Sequence, residues 1–253
     1  MFNIALNTFK EIVRNKFLYM ILFFGLAFIA FSLALGQLTL GEEEKIVIDF
    51  GLAMIEIFGF IGVLFVGSQL LFKEIDGKTI FLILSKPIDR YEFILGKFIG
   101  FTGTIALIIF VQSLLFLSVL GLKSIDIDIY IIMSLVFTFF KLEILLALVF
   151  FFSTFVSNIV TILATIMIYL LSHSFSNLLD LAVRSKNTIL QYFIQGIEVL
   201  FPPMEALNIK DVIGSFKEFG HLYFIYNTFY SFVYIAVVMY FAIQIFNRKK
   251  FES

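Results

Sequence analysis

Residues 129–156 read IYIIMSLVFTFFKLEILLALVFFFSTFV, and Lys141 and Glu143 are the only charged residues among them. A helix needs roughly 20 apolar residues to cross a bilayer, and this run exceeds that. Five other runs are similar, which places six spans near 18–40, 46–72, 93–121, 129–156, 158–181 and 222–246. The first follows Lys10, Arg14 and Lys16, as a secretory signal would. Its apolar run outlasts a signal core of about 7–15 residues, so it reads as a retained helix.

Composition agrees. Of 253 residues, 61% are hydrophobic, and the mean hydropathy is +1.04. A soluble domain is about 45–50% apolar, so the excess needs lipid as its solvent. The net charge of −1 argues against nucleic acid as a partner. With no cysteine there is no disulfide, thiolate metal site or thiol catalysis. Trp is absent, so tyrosine must supply any aromatic belt. The expected fold is an all-α integral membrane protein, a single transmembrane domain over residues 1–253.

Residues 2–16 are amphipathic. Phe2, Ala5, Leu6, Phe9, Ile12 and Val13 recur at helical spacing, with Asn3, Asn7, Lys10 and Arg14 opposite. This pattern suits a helix lying in the membrane interface. Lys and Arg set the orientation. With the N-terminus inside, cytoplasmic segments hold eleven of them and outer segments six. Both termini are then cytoplasmic, in the cell (inner) membrane. The 73–92 connection is also cytoplasmic. The 182–221 connection is external and contains a short amphipathic helix ended by Pro202-Pro203.

The cytoplasmic connection carries an apolar core, Ile80 to Leu84, between charged flanks, and Pro87 breaks it before Arg90. A short helix of this kind can dock in a partner's groove; the same residues also suit an ordinary charged loop. No G-x-x-x-x-G-K-[ST] phosphate loop is present, since Tyr91 stands where Gly96-Lys97 would need a glycine.

Glu74, Gly77, Lys78 and Thr79, then Ile83-Leu84-Ser85-Lys86-Pro87-Ile88-Asp89-Arg90, then Ile94-Leu95-Gly96-Lys97-Phe98-Ile99-Gly100, resemble the segment joining spans two and three in type-2 ABC exporter permeases. In particular the segment looks like that of the group that includes permeases linked to copper-enzyme maturation. Lys78, between Gly77 and Thr79, departs from it. The resemblance extends to the layout of the whole chain and implies a division of labour. Separate ATPase subunits bind ATP and Mg and hydrolyse the nucleotide, while this chain binds no cofactor and carries no catalytic residue. Glu74, Asp76, Gly77, Lys78, Thr79, Leu82, Lys86, Pro87 and Arg90 would couple it to the ATPase, with a second contact near Ser153 to Asn158. A second permease, identical or different, would complete the path.

Glu56, Lys141 and Glu143 fall inside spans, where a charge costs about 2.5–3.5 kcal/mol on insertion scales and so faces protein or water. Depth along the helices lets Lys141 pair with Glu56 or Glu143. His173, beside Ser172 and Ser174, forms no catalytic pair, because helix neighbours point apart. Tyr230 and Tyr234 follow Tyr223 and Tyr226 at helical spacing, either packing into the bundle or lining a path. Gly96, Gly100 and Thr104 form a small-residue stripe that allows close helix approach. Two other function classes fit less of the sequence. The first is a membrane scaffold or assembly factor that transports nothing, which copurification with an ATPase would tell from an exporter. A secondary transporter would show paired repeats with broken helices.

Overall fold

The computed structural model describes residues 1–37, 43–76, 89–198, 200–210, 213 and 219–249. Nine α-helices and one π-helical turn account for most of them, and no strand occurs among the described residues. The helices are α1 (Phe2–Val13), α2 (Lys16–Gln37), α3 (Glu43–Gly62), the π turn (Val63–Gly67), α4 (Ser68–Asp76), α5 (Arg90–Leu122), α6 (Ile129–Ser153), α7 (Asn158–Arg184), α8 (Thr188–Glu198) and α9 (His221–Arg248). Six stretches are long and apolar enough to span a membrane, with α3, the π turn and α4 forming one of them, Glu43–Glu74. They correspond to the six runs read from the sequence, with ends shifted by a few residues.

Successive spans run antiparallel. One end of the bundle, the near end, carries the start of α1, the ends of α4 and α9 and the turn between α6 and α7. The far end carries the α5–α6 and α7–α8 turns, where Lys123 bonds Glu43 at the start of α3. Asp128 caps α6 there by accepting from the Tyr130 N–H at 3.4 Å. This satisfies one of the four donors that a helix start leaves open.

The core is built around α6. Leu142 and Ile144 to Val149 are buried in an unbroken row, together with Phe137 and Phe150. A helix buried on every side is the central one of a bundle. Helices α3, α5, α7 and α9 and the π turn all pack on it. The outer helices α2, α7 and α9 keep exposed Phe23, Leu163, Met167, Phe229 and Phe232 on their outward faces, as lipid contact requires.

Glycines set the close approaches. A Cβ on Gly100 would lie 2.5 Å from the Ala5 carbonyl oxygen, and one on Gly96 would lie 2.8 Å from Ile4 Cβ. The small-residue stripe therefore receives α1, which buries Ala5, Thr8 and Ile12. Val13 packs on the core and Phe9 lies against Gly103, but two residues of the expected apolar face do not go with them. Phe2 is 76% exposed and Leu6 also faces outward, so α1 has one side on α5 and another turned to its surroundings.

Candidate functional site

Glu56 stands midway along α3, 2% exposed. Lys141 of α6 reaches both of its oxygens, at 3.1 and 3.2 Å. Of the two carboxylates the sequence left open for Lys141, the structure selects Glu56. Tyr169 of α7 donates to Glu56 Oε1 at 2.9 Å, and its ring is fixed by stacking on Phe60 at 4.5 Å between centroids. His173, one turn further on, places Nδ1 3.0 Å from the Tyr169 carbonyl. A carbonyl only accepts, so Nδ1 is the protonated nitrogen. Nε2 then faces Glu56 Oε1 at 3.9 Å.

The fourth partner is Lys210, whose Nζ lies 2.6 Å from Glu56 Oε2. Sequence reading counted it only as an external charge. It reaches the cluster because the chain after α8 turns back into the bundle. Met204, Leu207 and Ile209 are buried in the same core as α6. Tyr223 donates to the Ala206 carbonyl at 2.6 Å and Tyr234 to that of Leu200 at 3.4 Å. Tyr234 is roughly 20 Å along α9 from its start, so Leu200 lies deep. The signal in the sequence was the alternation of apolar Met204, Leu207 and Ile209 after Pro202-Pro203, ahead of a lone lysine. Leu200, Phe201 and Pro202 close a cavity of about 260 Å³ against Leu148, Ile168 and Val238. Tyr234 lines it too, while the Tyr226, Tyr230 and Tyr234 rings follow one another at 6.4 Å.

Glu143 is separate from this cluster. It accepts from Thr102 of α5 at 2.7 Å. Gln112 is fully buried, packed against Gly25. Neither of its amide atoms has a hydrogen-bond partner among the described residues.

At the near end, Glu74 of α4 pairs with Lys97 of α5 at 2.7 Å. The lysine is buried and also lies over the Phe93 ring, 5.4 Å from its centroid. Arg90, the first residue of α5, donates to the carbonyls of Phe246, Asn247 and Lys249 at 3.4, 3.0 and 2.9 Å. These close the end of α9, where carbonyls lack intrahelical donors and a cation is favoured. Lys249 in turn donates to the Thr154 carbonyl at 2.9 Å, at the end of α6. Of the other coupling residues expected from the sequence, Asp76 ends α4. Gly77, Lys78, Thr79, Leu82, Lys86 and Pro87 lie outside the described residues.

The arrangement joins helices through buried charge. No group of three or more His, Cys, Asp or Glu side chains suited to a metal ion occurs among the described residues. Taken together, the six spans and the charge-tied bundle define a multi-pass helical membrane protein. Residues 2–251 match the family described as "ABC-2 family transporter protein", and the chain belongs to that family, whose members are membrane permease components of ABC transporters. No curated protein matches the chain.

Proposed function

We propose that this chain is the transmembrane subunit of an ATP-driven exporter, paired with a second permease and coupled to separate ATPase subunits through residues 74–90. The near end then faces the cytoplasm, the membrane is the inner membrane, and ATP and Mg reside on the ATPase. The chain itself is not an enzyme. The likeness to permeases linked to copper-enzyme maturation rests on the 74–100 motif and carries no cargo assignment.

The supporting observation is how the flanks of the 77–88 segment are tied. Glu74 before it and Lys97 after it form an ion pair between α4 and α5. Arg90 binds the same segment to the end of α9, and Lys249 continues the tie to α6. A force applied by a partner at 77–88 is thereby delivered to four helices rather than absorbed in a loop.

The ion pair also decides how docking is tested. Glu74→Lys alone would place two cations together, so lost ATPase binding would report internal damage as readily as lost docking. Glu74→Lys with Lys97→Glu restores the internal pair with the charges exchanged. Deletion of residues 78–86 removes the segment while leaving both partners. The exporter reading expects the exchanged pair to keep a folded protein and the deletion to abolish copurification of an ABC ATPase subunit. Full copurification and ATP hydrolysis after the deletion would remove the reading's support.

A further inference from the structure

We propose that Glu143 and Thr102 form a proton-binding site inside the bundle, where the Glu143 side chain resides as the neutral carboxylic acid.

The geometry carries this. Glu143 is 4% exposed on the central helix. Its Oε2 accepts from the Thr102 hydroxyl at 2.7 Å, while Oε1 is buried with no hydrogen-bond partner among the described residues. An ionised carboxylate at this depth would require a cation or several donors. The charged and titratable groups on the surrounding helices are engaged elsewhere. On α6, Lys141 stands two residues away, a spacing that turns side chains apart, and it contacts Glu56 of α3. On α5, Lys97 contacts Glu74 of α4. On α7, Tyr169 and His173 face Glu56. On α9, Tyr234 donates to Leu200. Glu56 shows what an ionised carboxylate needs in this bundle, with two lysines and a tyrosine around it. Glu143 has one hydroxyl. The neutral acid removes the conflict, and its proton is the ligand of the site.

Dicyclohexylcarbodiimide, a lipid-soluble reagent, tests the assignment on the intact chain. It reacts with a carboxylic acid and not with a carboxylate. The carboxyl oxygen bonds to the central N=C=N carbon and the acid proton moves to a nitrogen. The resulting O-acylisourea rearranges to a stable N-acylurea, with nothing oxidised or reduced. The expected result at neutral pH is one adduct on the peptide containing Glu143, none on that containing Glu56, and none in Glu143→Gln. Infrared spectroscopy removes the question of reagent access. The carbonyl stretch of a neutral carboxylic acid should be present in the parent and missing in Glu143→Gln. Labelling of Glu56 in place of Glu143, or no infrared band lost in Glu143→Gln, overturns the proposal. Neither measurement involves an ATPase, so both are independent of the exporter reading.

Discussion

Lys210 Nζ and Glu56 Oε2 meet at 2.6 Å, which pins the connection between α8 and α9 to the middle of α3. The same carboxylate holds Lys141 of α6 and Tyr169 of α7. Four segments distant in sequence therefore share one acid. Removing one partner of a buried pair costs about 3–5 kcal/mol, because a charge is left without its counterpart. Glu56→Gln deprives both lysines of this carboxylate and should give the largest fall in thermal stability in detergent. Lys141→Met should cost less, because Lys210 remains beside Glu56. The double variant Glu56→Gln with Lys141→Met should lose less than the two single losses added. Strict additivity would mean that the two side chains are not coupled.

The α1–α5 contact depends on the absence of side-chain atoms at Gly100. In Gly100→Ala the new methyl would lie 2.5 Å from a backbone oxygen and 2.7 Å from Thr8 Cβ, so α1 must move. Overpacking of this kind costs about 1–3 kcal/mol. The unfolding midpoint of Gly100→Ala in detergent should fall by a matching amount, and an unchanged midpoint would mean that α1 does not seat on Gly100. Gly196→Ala in α8, with nothing within 4 Å, should not lower stability, since alanine is the better helix former.

Gln112 invites a gain. A buried amide without partners bears its full desolvation penalty, on the order of 1–3 kcal/mol. Gln112→Met keeps the length of the side chain and removes the polar atoms. Its unfolding midpoint should rise. A fall would show that the amide has a partner in the membrane.

Arg90 closes the end of α9, an interaction worth about 1 kcal/mol where a cation meets a helix C-terminus. Arg90→Gln should therefore speed amide hydrogen exchange several-fold in residues 244–249 while leaving α6 protected. Arg90→Lys, with one charge but no forked guanidinium, should fall between. Unchanged exchange in Arg90→Gln would mean that the arginine does not hold α9.

The topology is tested with single cysteines at Lys45, by the far end, and at Lys78. In intact cells an impermeant thiol reagent should label position 45 and spare position 78. The reverse pattern would invert the orientation drawn from Lys and Arg.

The six spans were legible because lipid imposes length and apolarity on every crossing helix, as in 129–156. The glycine stripe at Gly96 and Gly100 was legible as a close approach, but nothing in its spacing said that α1, rather than another span, would fill it. The partner of Lys141 stayed open because Glu56 and Glu143 satisfy the same depth argument; only the directions of α3 and α5 around α6 separate them. Lys210 was missed because reading by hydropathy assigns a connection to water, and this one folds back among α6 and α9. Glu74 was expected to await a partner protein. Its pairing with Lys97 depends on how α4 sits beside α5, which the sequence motif does not encode.

The π turn has a consequence for these two acids. Glu56 and Glu74 are separated by about five whole turns of a regular α-helix, so an uninterrupted helix would point both in one direction. A π turn holds more residues than an α turn, and Val63–Gly67 retards the phase of everything after it by about a quarter turn. Glu56 can then face α6 and α7 while Glu74 faces α5, and a single transmembrane rod addresses two sets of neighbours. Gly67, where a Cβ would come within 2.9 Å of the Phe101 ring and 3.2 Å of Leu146, keeps that phase step pressed against the centre of the bundle. Rewinding the turn as regular α-helix, with no residue removed, would bring both acids back into alignment, and one of them would lose its lysine.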